Sequence, residues 1–185
     1  YSTIQSFGLR TVTDQMKPLY KTHALPFEIK DIPFVFTQFK KQIEQLPKIF
    51  TENFDLIPQE KISIDAFIPN PDTLGIKFIQ HELIPGENAA LKHLHTYLFE
   101  KQLAKTYKET RNGMLLFNDS TKFSAYLATG ALSVRKIMNQ LMLFEKSYTQ
   151  NESTYWIYFE LLWRDYFYYV HLQYGDRIFT ENGLS

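Results

Sequence analysis

The distribution of proline constrains the fold of this chain more than any other sequence feature. All eight prolines lie within the first 85 residues, and residues 86–185 contain none. Proline removes a backbone hydrogen-bond donor and restricts the residue that precedes it, so it interrupts helices. The sequence therefore predicts a mainly α fold, in which a proline-rich connector over residues 1–84 precedes a compact helical domain over residues 85–185.

One stretch of the connector keeps the spacing of a helix between two prolines. Phe36, Phe39 and Ile43 recur at intervals of three and four, which predicts one short helix. Two other stretches carry enough Ile and Phe to be weak strand candidates, although their prolines favour loops. These stretches are residues 61–67 and 76–81.

The first helix of the domain is predicted to start behind Pro85 and to run without a break to Asn112 and Gly113. Its apolar residues share one face. Three lysines follow another side of the same predicted helix: Lys101, Lys105 and Lys108. Such a row suits phosphate groups, but a solvent-exposed face explains it more simply.

The rest of the domain predicts three further helices. A short helix ends at Gly130, and Ser133 caps a second helix whose apolar residues recur at three and four. The last helix is predicted to begin after Asn151 or Ser153 and to end near Gly175.

Composition excludes several classes of protein. The chain is 44% hydrophobic, enough to bury a core, and its 20 basic and 20 acidic residues cancel. The overall charge therefore gives no reason to expect nucleic acid or an anionic membrane as a partner, and any DNA contact must come from a local patch. The absence of cysteine excludes disulfide scaffolds and zinc–thiolate sites. Without a signal-peptide pattern or a spanning apolar run, a soluble, cytoplasmic, monomeric protein is the expectation.

The last predicted helix mixes charge with aromatic residues. Residues 155–169 contain nine Tyr, Trp and Phe residues, with three charged residues among them: Glu160, Arg164 and Asp165. Spacings of three and four predict one shared face, made of Trp156, Glu160, Trp163, Arg164 and Phe167. They predict a second stripe that packs into the core, including Phe159, Leu162 and Tyr166. The charges either form an intrahelical ion pair between Glu160 and Arg164 or meet a ligand, and spacing alone does not decide between these.

Two more groups could contribute to a ligand site. The loop "NDSTKFS" carries hydroxyl groups and Lys122, which suit anionic oxygens, although ordinary helix capping explains them equally well. Tyr107 and Arg111 lie four residues apart, at the end of the helix that carries the lysines. The histidines do not have the spacing of a metal site, and the common phosphate-loop, dinucleotide and serine-elbow motifs are missing. The residues alone thus indicate a surface for a planar, phosphate-bearing ligand.

Four segments, in this order, resemble the cryptochrome/photolyase family and in particular its cryptochrome DASH branch: "IPFVFTQFKKQIE", "TYKETRNG", "STKFSAYLATGALSVR" and "STYWIYFELLWRDYF". The resemblance covers roughly residues 25–179. Family members have an amino-terminal α/β antenna domain, a long linker and a helical FAD-binding domain. The resemblance therefore implies that residues 1–84 are the interdomain connector with the tail of the antenna domain. Residues 85–185 would be the first half of the helical FAD-binding domain.

The resemblance also implies roles for nine residues and no metal site. Six would face FAD: Tyr107, Thr121, Lys122, Phe123, Ser124 and Arg164. Three would face DNA, with Glu160 hydrogen-bonded to a pyrimidine dimer, Trp163 stacked beside it and Arg111 on the backbone.

The activity implied by the resemblance is light-dependent DNA repair. A photolyase of this branch splits cyclobutane pyrimidine dimers, chiefly in single-stranded DNA, by electron transfer from reduced FAD, and the full-length protein could carry a folate antenna. The alternative is a blue-light receptor that keeps FAD and signals through partners. Glu160 and Trp163 favour repair, because a receptor does not hold a lesion. This chain alone is expected to be inactive.

Overall fold

The computed structural model describes residues 18–50, 71–75 and 82–184. Within these ranges the regular structure is helical and contains no strand, which confirms the prediction of a mainly α fold. The two strand candidates, residues 61–67 and 76–81, lie outside the described residues, and the domain boundary at residue 85 stays a prediction.

Six α-helices make up the described part. They are α1 (Phe36–Ile43), α2 (Glu87–His95), α3 (Tyr107–Thr110), α4 (Phe123–Thr129), α5 (Val134–Ser147) and α6 (Glu152–Tyr174). Short 3₁₀ segments occur at Thr22–Ala24, Ile29–Asp31, Pro71–Leu74, Leu103–Thr106, Phe117–Asp119 and Gly175–Phe179, and a π-helical turn covers Thr96–Glu100.

The helix ends that depend on local chemistry lie where the sequence predicts them. Ser133 Oγ accepts from the amides of Arg135 and Lys136 at the start of α5, and Gly130 ends α4 with a φ of 76°. At the start of α6, Asn151 Oδ1 accepts from the amide of Thr154 at 3.0 Å. The predicted connector helix is also present as α1.

Helix α6 is the central element of the fold. It contacts α1, α3 and α5, so that most of its circumference is covered by protein. Its buried side chains accordingly come from several sides: Ile157, Tyr158, Leu161, Leu162, Tyr166 and Tyr169. No helix among the described residues is long and apolar enough to cross a membrane.

The prediction of one continuous helix from Pro85 to Asn112 is wrong. Helix α2 ends at His95, and after the π-helical turn Gln102 adopts the left-handed conformation with a φ of 52°. A left-handed residue cannot continue a right-handed helix, so the chain changes direction there. The three lysines therefore do not form one row: Lys101 donates to Asn118, Lys105 to Gln102, and Lys108 pairs with Glu152.

The segment before the first 3₁₀ turn is tied to α5 and α6 by buried hydrogen bonds. The amide of Leu19 donates to Asp165 Oδ2 at 2.6 Å, and Arg135 Nε donates to the carbonyl of Leu19 at 3.2 Å. Tyr169 donates its hydroxyl to the carbonyl of Tyr20. Burial raises the pKa of Asp165 from 3.8 to about 7, although the Leu19 amide and two arginines oppose that rise.

This pKa shift predicts how stability depends on pH. Between pH 3.8 and about 7 the unfolded state loses the Asp165 proton while the folded state keeps it, so stability falls as pH rises. Asp165→Asn keeps an oxygen acceptor and does not titrate. The unfolding free energy of the parent, minus that of the variant, should drop by roughly 1 kcal/mol per pH unit across this window. Urea unfolding at several pH values measures it.

The exposed residue Asp176 offers the matched control: Asp176→Asn makes the same chemical change away from the core and should change the unfolding free energy by less than about 0.5 kcal/mol. A difference between parent and Asp165→Asn that stays constant or grows with pH would mean that Asp165 is ionised in the folded protein.

Candidate functional site

An open cavity of about 640 Å³ lies between α3, α4, α6 and the loop that precedes α4. Seven of the nine residues singled out from the sequence line it: Tyr107, Thr121, Lys122, Phe123, Ser124, Glu160 and Arg164. The other lining residues are Ser120, Leu127, Ala128, Ile157 and Leu161. The volume is within the range of about 300–1,000 Å³ that small-molecule and cofactor sites occupy.

The loop before α4, residues 120–122, and the first turn of α4 supply three hydroxyl groups and one cation to the cavity: Ser120, Thr121, Ser124 and Lys122. Lys122 has a φ of 55°, a left-handed conformation that is uncommon for a residue with a side chain. Thr121 Oγ1 accepts from the amide of Phe123 at 3.4 Å, and the Thr121 carbonyl lies 2.8 Å from His93 Nε2. Hydrogen bonds to backbone groups of Thr121 and Phe123 thus hold this segment, while its side chains line the cavity.

Helix α6 presents Ile157, Glu160, Leu161 and Arg164 to the cavity. These positions follow the spacing i, i+3, i+4 and i+7, which places them on one face. The aromatic residues that the sequence groups with Glu160 and Arg164, which are Trp156, Trp163 and Phe167, are not among the residues that line the cavity. Trp163 is about 60° from Glu160 around the helix, on the side away from Arg164.

The aromatic residues of α6 form a neighbouring stripe, which we call the aromatic stripe: Trp156, Phe159, Trp163 and Phe167. Trp163 lies outside the cavity lining and stacks on Phe36 of α1, with ring centroids 3.6 Å apart and planes 12° apart. One face of the Trp163 ring is thereby covered by protein. Phe159, predicted to pack into the core, also contacts Phe36.

Glu160 pairs with a residue from another helix. Arg111 Nη1, at the end of α3, lies 2.5 Å from Glu160 Oε1, and its guanidinium lies 4.2 Å from the centre of the Trp156 ring. Arg164 Nη1 lies 3.3 Å from Asp165 Oδ1. Arg111 thus lies at the edge of the cavity, where it balances the charge of Glu160.

The ionisation of Tyr107 follows from the same arrangement. Burial and, to a lesser extent, the Glu160 carboxylate raise its pKa to about 12, while Arg111 opposes the rise. Tyr107 is therefore a neutral hydrogen-bonding group at pH 7. Among the charged residues of the lining, the cations Lys122 and Arg164 outnumber the one carboxylate, Glu160, and this excess favours an anionic ligand.

Sequence reasoning missed the apolar side of the cavity and its support. Ile157 and Leu161 could have been predicted from helical spacing. Ile157 lies three residues before Glu160, and Leu161 lies three residues before Arg164. Leu127 and Ala128 could also have been predicted, because they lie on the helix that follows the predicted loop. His93 carried no such signal, since its contact with Thr121 spans 28 residues. Among the described residues no group of His, Cys, Asp or Glu could hold a metal ion.

No protein-family model matches the chain. The chain is similar to Cryptochrome DASH of Idiomarina loihiensis, with 44% identity over 170 residues that cover 90% of this chain and 37% of the relative. It is similar to Cryptochrome DASH, chloroplastic/mitochondrial, of Oryza sativa, with 39% identity over 89% of this chain and 30% of the relative. The chain thus spans about a third of the length of these curated relatives.

A solved structure shows the same likeness. The crystal structure of Synechocystis sp. PCC6803 cryptochrome matches with a TM-score of 0.87 and 34% sequence identity. The match covers 99% of this chain and 40% of that chain.

The ion pair between Arg111 and Glu160 should be measurable by a double-mutant cycle with Arg111→Ala and Glu160→Gln. Both side chains are partly exposed, at 26% and 35%, so solvent screens the pair and we expect a coupling of about 0.5–1 kcal/mol at low salt. The coupling should shrink as salt is added. Urea unfolding of the four proteins gives the value.

The pair Lys108–Glu152, whose side chains are 37% and 80% exposed, is the matched control and should couple less. The cycle of Glu160 with Arg164 should also give a smaller value. If Glu160 couples more strongly to Arg164 than to Arg111, the intrahelical ion pair between Glu160 and Arg164 is the correct interpretation.

Proposed function

The chain belongs to the cryptochrome/photolyase family, in which it matches part of cryptochrome DASH, and on this premise we propose that its cavity holds FAD in a light-dependent DNA repair flavoprotein. The observation that carries the proposal is the convergence of two cations and several hydroxyl groups on one apolar-walled cavity of about 640 Å³. The proposed reaction is the splitting of cyclobutane pyrimidine dimers in single-stranded DNA.

The donor set of the cavity fits the polar part of FAD. Lys122 and Arg164 supply charge-assisted hydrogen bonds for a diphosphate, and the hydroxyl groups of Thr121 and Ser124 suit phosphate oxygens and a ribityl chain. The contact of Arg164 with Asp165 is compatible with this role, because a guanidinium carries five N–H donors. Phe123 and the apolar side chains of α6 provide a wall that excludes water from the bound group.

Glu160 is the residue proposed to meet the lesion. Its carboxylate lines the cavity and can accept a hydrogen bond from a pyrimidine N–H. Arg111, which pairs with Glu160, is proposed to contact the backbone of the DNA strand. Reduced FAD, when bound, would supply the electron that splits the dimer on illumination. The contribution of the chain is to position the dimer and to hold charge beside it.

The edge of the cavity supports a single strand as the partner. Two cations lie over the ring of Trp156, with Arg111 at 4.2 Å and Lys108 Nζ at 6.0 Å from the ring centre. Trp156 is partly exposed, and cations beside aromatic rings are a common feature of surfaces that bind unpaired strands. Trp163 remains the proposed stacking residue for the dimer, which would stack beside the rings of Phe36 and Phe167 that already contact it.

We predict that the 185-residue chain does not retain FAD through purification. The family resemblance assigns part of the flavin pocket to segments outside this chain, and a ligand held by one wall dissociates readily. After mixing with FAD and gel filtration, the protein peak should show no flavin absorption. A yellow protein near one flavin per chain would contradict this expectation.

In the full-length protein, three substitutions should separate the proposed roles. Arg164→Ala should lower flavin content, because it removes a cation assigned to the diphosphate. Glu160→Gln should mainly lower the yield of dimer splitting per absorbed photon, since it keeps shape and removes charge. Trp163→Ala should weaken the binding of dimer-containing single strands by about 1–3 kcal/mol, the value of one stacking platform.

Arg177→Ala is the matched control for Arg164, because Arg177 is exposed and lies outside the cavity lining. Trp163→Phe controls for the stack on Phe36, since a phenyl ring preserves that packing and should retain most of the lesion affinity. If Trp163→Ala and Glu160→Gln leave lesion binding and splitting unchanged while flavin stays bound, a blue-light receptor becomes the better account.

A further inference from the structure

One hydrogen bond ties the cavity loop to helix α2. His93 Nε2 lies 2.8 Å from the carbonyl oxygen of Thr121, which lines the cavity. A carbonyl oxygen only accepts hydrogen bonds, so Nε2 carries the proton and donates it to this carbonyl. The bond joins residues 28 positions apart, and it therefore fixes the loop to a helix that does not itself line the cavity.

The donor has little freedom to move. Four aromatic rings surround the imidazole, with ring centroids 5.6–6.4 Å away: Tyr97, Phe117, Phe123 and Tyr126. These ring contacts limit the orientations of the imidazole, so the hydrogen bond is pre-organised before any ligand arrives.

The loop has a particular need for such support. Lys122, the residue after Thr121, holds the left-handed backbone conformation, which is unfavourable for a residue with a side chain. A strained residue keeps its conformation only when its neighbours determine it. The bond at the Thr121 carbonyl fixes the peptide unit that leads directly into Lys122.

We propose that His93 is a positioning residue for the anionic ligand of the cavity. By holding the Thr121 carbonyl it keeps the Lys122 ammonium and the loop hydroxyl groups directed at the place where a diphosphate binds. The inference rests on the proposed function for the identity of the ligand. The tether itself is a property of the ligand-free chain.

Two substitutions separate hydrogen bonding from packing. His93→Phe keeps an aromatic ring among its four neighbours and removes the donor. His93→Gln removes the ring and keeps an amide N–H close to the place of Nε2. If the hydrogen bond is what matters, the glutamine variant behaves like the parent and the phenylalanine variant does not, whereas a purely packing role gives the opposite order.

The measurements use the 185-residue chain. Amide hydrogen exchange of Phe123, whose amide donates to Thr121 Oγ1, should be about tenfold faster in His93→Phe and within about twofold of the parent in His93→Gln. The amide of Leu141 in α5 is the internal reference and should not change. An NMR titration with inorganic pyrophosphate should show about tenfold weaker binding for His93→Phe only.

Equal loop exchange in His93→Phe and the parent would overturn the proposal, as would loop exchange in His93→Gln as fast as in His93→Phe. Should His93→Phe fail to fold, His93→Gln decides alone, because accelerated loop exchange in a variant that keeps the donor contradicts the tether. A parent chain that shows loop protection but no pyrophosphate binding at millimolar concentration would count against the proposed anion site. The exchange comparison would still decide whether His93 holds the loop.

Discussion

The burial of helix α6 on most sides is the constraint on which the rest of the structure depends. Its polar anchor is Asp165, which accepts the Leu19 amide in a fully buried position and so fixes the start of the described chain against the helix. With α1, α3 and α5 packed on other sides of the helix, the face with Glu160 and Arg164 lines the candidate site. The position of the candidate site is therefore a result of packing as much as of its own residues.

Two adjacent faces of α6 have different roles: one packs against α1, and the other lines the cavity. The aromatic stripe packs on Phe36 and gives the helix a rigid attachment to α1, while the face beside it combines Ile157 and Leu161 with the two charged residues. A cavity built from three helices and one loop holds its polar groups at fixed separations. Such pre-organisation lowers the entropy that a ligand must lose on binding.

Features set by neighbours in the sequence could be predicted, and features set by distant contacts could not. The ends of α4, α5 and α6 follow from capping chemistry at Gly130, Ser133 and Asn151, which acts within a few residues. The left-handed turn at Gln102 has no glycine to signal it, and the partner of Glu160 lies 49 residues away. The family resemblance, rather than periodicity, identified most of the cavity residues, because helical spacing defines faces without telling which one meets a ligand.

The pairing of Glu160 with Arg111 also bears on how fast an anionic ligand can reach the cavity. An isolated carboxylate at the entrance would repel a phosphate-bearing molecule over roughly one Debye length, about 8–10 Å at physiological salt. With its charge balanced by a guanidinium at 2.5 Å, Glu160 contributes little to the field at that range. Lys122 then contributes most to the field that an approaching ligand meets, since Arg164 lies 3.3 Å from Asp165, so the Glu160 carboxylate can serve short-range recognition without slowing the diffusional encounter.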